Sequence, residues 1–126
     1  MTTGIIVFAH GSRVESANQA VRKVASELAR AGNFPHVEAA FLELGEPSLA
    51  GAAAKLVDRG VERILVLPYF LTLGLHMERD LPRLTEDISN RYKGVEVLVG
   101  LPLEGHPALV KVLLDRSLSI LRSRNS

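Results

Sequence analysis

Four short apolar runs, each followed by a longer stretch of helical period, constrain this chain more than any other feature. Gly4 to Ala9 (GIIVFA) is an unbroken β-branched and aromatic run, the pattern of a strand buried on both faces. From Glu15 to Ala31 the apolar positions Ala17, Val21, Val24, Ala25, Leu28 and Ala29 recur at three- and four-residue spacing. That spacing predicts an amphipathic helix, stopped by Gly32 and Pro35. His36 to Leu42 (HVEAAFL) reads as a second strand, and Pro47 with Ser48 opens an alanine-rich helix through Asp58, closed by Gly60. Arg63 to Leu67 (RILVL) is a third strand ended by Pro68. A loop with Thr72, Gly74 and His76 then precedes a helix from Leu81 to Tyr92. Val95 to Val99 is the fourth strand, Pro107 to Leu121 the last helix, and the tail SRNS is expected to fray.

The order βαβαβαβα predicts an α/β fold: a four-stranded parallel sheet flanked by helices on both faces, in one Rossmann-like or flavodoxin-like lobe. Its 126 residues suit one domain, 1–126, with a real core. Apolar residues at 47% and charged residues at 23% give a globular balance, and the net charge of +1 lacks the basic excess of a nucleic-acid binder. Without cysteine there is no thiolate metal site, iron–sulfur cluster or cysteine nucleophile. MTTGIIVFAHGSR has no charged leader and only a short apolar run, and no stretch reaches the ~20 apolar residues of a membrane span. A cytoplasmic protein is expected.

Open parallel sheets bind ligands at the carboxyl ends of their strands. Here those ends run into His10-Gly11-Ser12-Arg13, Glu43-Leu44-Gly45-Glu46, Tyr69 through His76, and Gly100 through His106. Three of the four histidines therefore share one edge with several carboxylates, while His36 lies at the opposite edge. Folding does not require that segregation. A loop histidine is often only a surface residue, and His106, just before Pro107, suits a helix-capping role better than catalysis. Glu46 and Asp80 suit helix N-termini electrostatically. Glu43 has no such explanation, being the first polar residue after an apolar strand. Gly11-Ser12 could cradle a phosphate, but neither GxGxxG nor GxxxxGK[ST] is present. The Phe70 to Leu75 run suits either core or one wall of a flat ligand's pocket.

Four segments, GIIVFAHGSR, FLELGEPSL, LPYFLTLGLHMERDLP and LPLEGHPALVKVLLDR, resemble the small CbiX-type sirohydrochlorin chelatases, in order and over nearly the whole chain. The third, with its proline, aromatic-leucine pair, glycine, histidine and closing acid-leucine-proline, is the most specific. The resemblance implies one lobe of a class II tetrapyrrole chelatase, whose larger relatives hold the macrocycle between two lobes in one chain. It implies a homodimer for the short form. It assigns metal handling to His10 and His76 and the acidic role to Glu43. The metal is substrate, with Co²⁺ expected and Fe²⁺ or Ni²⁺ as alternatives, and no permanently bound cofactor is implied. Ala9 departs from a glycine common before the histidine, and Glu104 from a tighter PLG-type turn.

Metal insertion suits those residues. Neutral imidazoles are borderline ligands for Co²⁺, Fe²⁺ and Ni²⁺, and an open, incomplete donor set can release what a closed cage would keep. Glu43 or a metal-free histidine is available to accept pyrrole protons. Arg13 and Arg79 are candidates to anchor the carboxylates of sirohydrochlorin, with Phe70 and Leu71 as apolar wall. Three rivals use the same fold pattern. A histidine phosphatase needs an arginine where Ala9 stands, and a receiver domain needs clustered acids after the first strand. A metal or tetrapyrrole carrier shares the site and is separated only by turnover. In the last helix Leu109, Val110, Val112, Leu113, Leu114, Leu118 and Leu121 cover more circumference than one sheet face needs, which places part of a dimer interface there.

Overall fold

A computed structural model describes residues 1–125. The elements are β1 (Thr3–Ala9), α1 (Glu15–Gly32), β2 (Val37–Phe41), α2 (Leu49–Asp58), β3 (Arg63–Pro68), α3 (Leu75–Arg91), β4 (Glu96–Val99) and α4 (Ala108–Asn125). The four strands form one parallel sheet in the order β2-β1-β3-β4. The doubly wound topology follows from chain direction. After β1 the chain steps outward to β2, then crosses back to β3 and β4, and right-handed crossovers put α1 on one face and α2 with α3 on the other.

The alternation of side chains in β1 divides the core accordingly. Ile6 and Phe8 join Ile64, Val66 and the α2–α3 residues Ala52, Ala53, Leu56, Met77, Leu81 and Ile88 in the larger cluster. Val7 and Ala9 pack with Ala39, Phe41 and Ala25 on the α1 face. Both faces of β1 are thus buried, as its unbroken apolar run requires. Ser48 caps α2 by accepting a hydrogen bond from the Gly51 N–H at 3.1 Å, the role its place after Pro47 suggested.

The elements differ from the sequence expectation in four places. Asn33, with φ 55°, supplies the left-handed cap of α1, and Gly32 remains helical. Ala17 is exposed, and the neighbouring Asn18 takes the buried position. α3 begins at Leu75, so His76 sits in the first turn of a helix rather than in a loop. Pro82 lies within α3. Asp80 is therefore inside the helix, paired with Arg83 at 3.2 Å, and does not serve its N-terminus. α4 continues through Asn125, so the SRNS tail is helical up to that residue; Ser126 lies outside the described residues. No helix among the described residues is long and apolar enough to cross a membrane.

Leu56 is fully buried between α2 and the sheet. Leu56→Ala is expected to cost about 2–5 kcal/mol by transfer and cavity terms together. In urea titration the midpoint should fall while the slope stays unchanged.

Candidate functional site

The hydrogen-bond ladder between β1 and β2 does not stop where the strands do. The Leu42 N–H donates to the Ala9 carbonyl at 2.9 Å, and the Glu43 N–H to the His10 carbonyl at 3.1 Å. The backbones of His10 and Glu43 are thereby held side by side at the carboxyl edge, where their side chains face solvent. His10 Nδ1 lies 3.9 Å from Glu43 Oε1, with side chains 61% and 57% exposed. At that separation in water the pair adds little stability, so its placement is not explained by folding. The Phe70 ring stands edge-on to His10 with centroids 6.5 Å apart, and edge-on to buried Phe8 at 6.0 Å. One aromatic contact therefore links the site to the core.

Gly11 turns the chain out of β1 with φ 95°, and a Cβ there would overlap the Glu43 carbonyl oxygen. Only glycine fits this close approach. Asn18, buried in α1, ties the two loops together. Its Oδ1 accepts from the Ser12 N–H at 2.9 Å, and its Nδ2 donates to the carbonyls of Ser12 and Leu44, each at 2.9 Å. Leu44 has φ 58°, which costs a non-glycine residue about 1–2 kcal/mol; its carbonyl bond to Asn18 holds that turn in place. Arg22 adds an outer brace. It donates to Glu15 Oε1 at 2.6 Å and to the Glu46 carbonyl at 2.9 Å, and its guanidinium lies 5.1 Å from the Phe41 ring centroid. The Arg22 hydrogen bond, then that from Asn18, holds the Glu15 carboxyl below the ordinary carboxylate range.

His76 is exposed in the first turn of α3, and Arg79 donates to its Nδ1 at 3.3 Å. A guanidinium can only donate, so Nδ1 is the accepting atom in this contact. The loop that follows β4 is bonded to the Phe70–Leu71 segment: the Leu103 N–H donates to the Phe70 carbonyl at 2.9 Å and the Glu104 N–H to the Leu71 carbonyl at 2.8 Å. Glu104 therefore meets the rim through its backbone. Leu71 is exposed. His106 accepts from the Ala108 N–H at 3.0 Å, capping α4 as its position before Pro107 suggested. Arg13 is exposed at the same edge and has no ion pair or hydrogen bond among the described residues.

The fold thus brings His10, Glu43 and Phe70 together, with His76 and Arg79 as a second pair on α3. Among the described residues no three histidine or carboxylate side chains converge to hold a metal ion. Asn18 was missed by sequence reasoning, because an asparagine beside a periodic alanine carries no sign of burial.

An open parallel lobe with imidazole and carboxylate donors at its strand ends defines a class of α/β proteins that meet their ligand at the sheet edge. Within that class the chain belongs to the CbiX family, whose model matches residues 4–120. It is 36% identical over 113 residues to the chloroplastic sirohydrochlorin ferrochelatase of Arabidopsis thaliana, covering 90% of this chain and 50% of that one. It is 33% identical over 114 residues to the sirohydrochlorin cobaltochelatase of Sulfolobus acidocaldarius, covering 90% and 89%. The chain therefore spans about half of one relative and nearly all of the other. Among solved structures, the sirohydrochlorin chelatase SirB of Bacillus subtilis subspecies spizizenii in complex with cobalt superposes with a TM-score of 0.88 at 28% identity, covering 95% of this chain and 51% of that one.

Asn18→Ala leaves the Ser12 N–H and Leu44 carbonyl without their partner and is expected to cost about 1–3 kcal/mol, read by thermal and urea unfolding. A stability equal to wild type would mean that the two loops are held by other contacts. The Glu15 carboxyl makes a separate, pH-dependent contribution. Because its folded pKa is depressed, that contribution is present above the unfolded carboxylate pKa and lost as pH falls through the folded one. The stability difference between wild type and Glu15→Gln, measured by urea titration across the acid range, should shrink toward low pH and stay constant above pH ~6.

Proposed function

We propose that the chain catalyses insertion of a divalent metal, cobalt first and ferrous iron second, into sirohydrochlorin. The observation that carries this reading is the exposed His10–Glu43 pair, 3.9 Å apart at the ends of adjacent strands. The names of the relatives support the substrate, and both metals occur among them. On this reading His10 and His76 are the metal ligands. An imidazole pair without a full cage captures a borderline divalent ion and can pass it on.

Insertion replaces two pyrrole N–H protons by one M²⁺, so two protons must leave. As the metal passes to the ring nitrogens, His10 becomes free to take one proton, and Glu43 beside it stabilises the imidazolium or accepts the proton itself. Solvent at this open edge carries protons away. On this reading Arg13 and Arg79 pair with the macrocycle's carboxylates. Phe70 and Leu71 offer an apolar wall to one face of the ring. When a carboxylate draws Arg79 from His76, Nδ1 is released, which couples substrate binding to metal handling.

One lobe covers one face of a flat ring, whereas binding sites bury most of a ligand of that size. A homodimer, with two edges facing across a two-fold axis, completes the cleft in this reading. A cytoplasmic setting and the absence of a permanently bound cofactor belong to it as well.

Anaerobic incubation with sirohydrochlorin and Co²⁺, Fe²⁺ or Ni²⁺ in turn, followed by absorbance, tests the activity. Cobalt or iron insertion should be accelerated above the spontaneous rate; an unchanged rate with every metal would reduce the protein to a carrier. His10→Ala and His76→Ala should each lower turnover by ~10²-fold or more while leaving the circular dichroism spectrum and unfolding midpoint near wild type, since both side chains are exposed. The rate should rise between about pH 5 and 8, because histidines ligate metals only when neutral. Near-normal turnover in either folded variant contradicts the ligand assignment.

A further inference from the structure

The carboxylate of Glu43 is not aimed by packing. Its side chain is 57% exposed, and its loop lines, with Arg22 and Ser48, a cavity of about 650 Å³. That cavity gives the side chain room to turn away, toward the positive charge of Arg22. The 3.9 Å approach of Glu43 Oε1 to His10 Nδ1 therefore rests on the backbone to either side of it.

That backbone is fixed at both ends. On the N-terminal side the Glu43 N–H donates to the His10 carbonyl at 3.1 Å. The peptide that follows is wedged, since the Glu43 carbonyl oxygen fills the space that a Cβ at Gly11 would need. On the C-terminal side stands Leu44, with φ 58°, a region that L side chains avoid. Leu44 is half-exposed, so burial does little to keep it there. The buried amide of Asn18 does, its Nδ2 donating to the Leu44 carbonyl at 2.9 Å. The same amide is anchored to the loop beyond His10 through Ser12, so the two loops share one reference point. Gly45 then brings the chain close to its neighbours: a Cβ there would lie 2.8 Å from Phe41 Cγ and 3.2 Å from Asn18 Nδ2. A glycine at position 44 would make the turn without strain. A strained residue beside Glu43, held by a dedicated buried amide, is the pattern of a functional constraint.

We propose that Asn18 and Leu44 form one positioning device that directs the Glu43 carboxylate toward His10 for the proton-transfer step of metal insertion. The inference rests on the metal-insertion reading above and adds the residues that act through Glu43. The step served breaks a pyrrole N–H bond. The electron pair stays on nitrogen to bind M²⁺, and the proton passes to Glu43 or His10 and on to solvent. With Leu44 left-handed, the peptides on both sides of Glu43 are stationary and only its side-chain torsions remain free. Without the Asn18 bond the turn relaxes, the Glu43–Leu44 peptide rotates, and the carboxylate drifts from His10. A displacement on the order of 1 Å near a reacting group lowers rates by ~10²-fold. The device acts on proton removal and not on capture of the macrocycle, so its loss falls on kcat rather than KM.

Steady-state cobalt insertion into sirohydrochlorin is measured anaerobically on full-length Asn18→Ala, Glu43→Gln and the double variant, each below its unfolding midpoint. Asn18→Ala is expected to lower kcat ~10-fold or more, with KM for sirohydrochlorin within about twofold of wild type. In the Glu43→Gln background the same substitution should remove little further rate, because the group it acts through is gone. A merely structural Asn18 lowers the rate by the same factor in both backgrounds, and that result overturns the proposal. Leu44 supplies a second test that does not depend on Asn18→Ala folding, since its side chain is exposed. Leu44→Val disfavours the left-handed turn and should approach the Asn18→Ala rate, whereas Leu44→Gly favours the turn and should recover most of kcat. Equal rates for the valine and glycine variants, high or low, overturn the proposal. Glu43→Gln at the wild-type rate also overturns it and leaves metal insertion by the histidines standing. A wild-type chain that gives no acceleration overturns the metal-insertion reading and this inference together.

Discussion

A single buried amide holds the functional edge of this lobe in register. Asn18 reaches from α1 to the loop after β1 and the loop after β2, and its three short hydrogen bonds fix both. Without them the loop after Gly11 and the left-handed Leu44 would lose their shared anchor, leaving the backbone bonds of Leu42 to Ala9 and Glu43 to His10 to hold the edge alone. The buried position makes the amide effective, because its bonds meet little competition from water. The side chains that it positions remain in water, where metal and macrocycle can reach them. Rigidity below and exposure above are thus supplied by different residues.

The same division runs through the sheet. Parallel strands need burial on both faces, and β1 obtains it from α1 on one side and from α2 with α3 on the other. Phe8 and Phe70 carry that packed core to the edge, where His10 stands against the Phe70 ring. A site of this kind pairs donors without enclosing them. Enclosure would suit a resident metal, whereas a metal that is substrate has to arrive and leave.

Much of this was legible in the sequence. The unbroken GIIVFA and RILVL runs admit little besides buried parallel strands, and the family-like segments carry His10, Glu43 and His76 to one sheet edge. His106 as a cap and Ser48 as a helix opener follow from the prolines beside them. Other features were hidden for physical reasons. The apolar pattern starts α3 at Leu81, but the helix begins at Leu75 and so gains a further turn and a half that takes in His76 and Arg79. The burial of Asn18 depends on carbonyls 6 and 26 residues away in the chain, which local periodicity does not register. The exposure of the apolar side chains of α4 was not visible either, because the broad apolar circumference reads equally as a helix packed in its own core.

The central claim is that His10 and His76 supply the imidazoles that hold the metal before it enters the ring. X-ray absorption spectroscopy of the Co²⁺-loaded protein under anaerobic conditions tests this most directly. The account predicts imidazole multiple scattering in the cobalt shell, reduced when His10 is replaced by alanine and reduced again when His76 is replaced as well. A spectrum of oxygen donors alone, or one indifferent to both replacements, would contradict it.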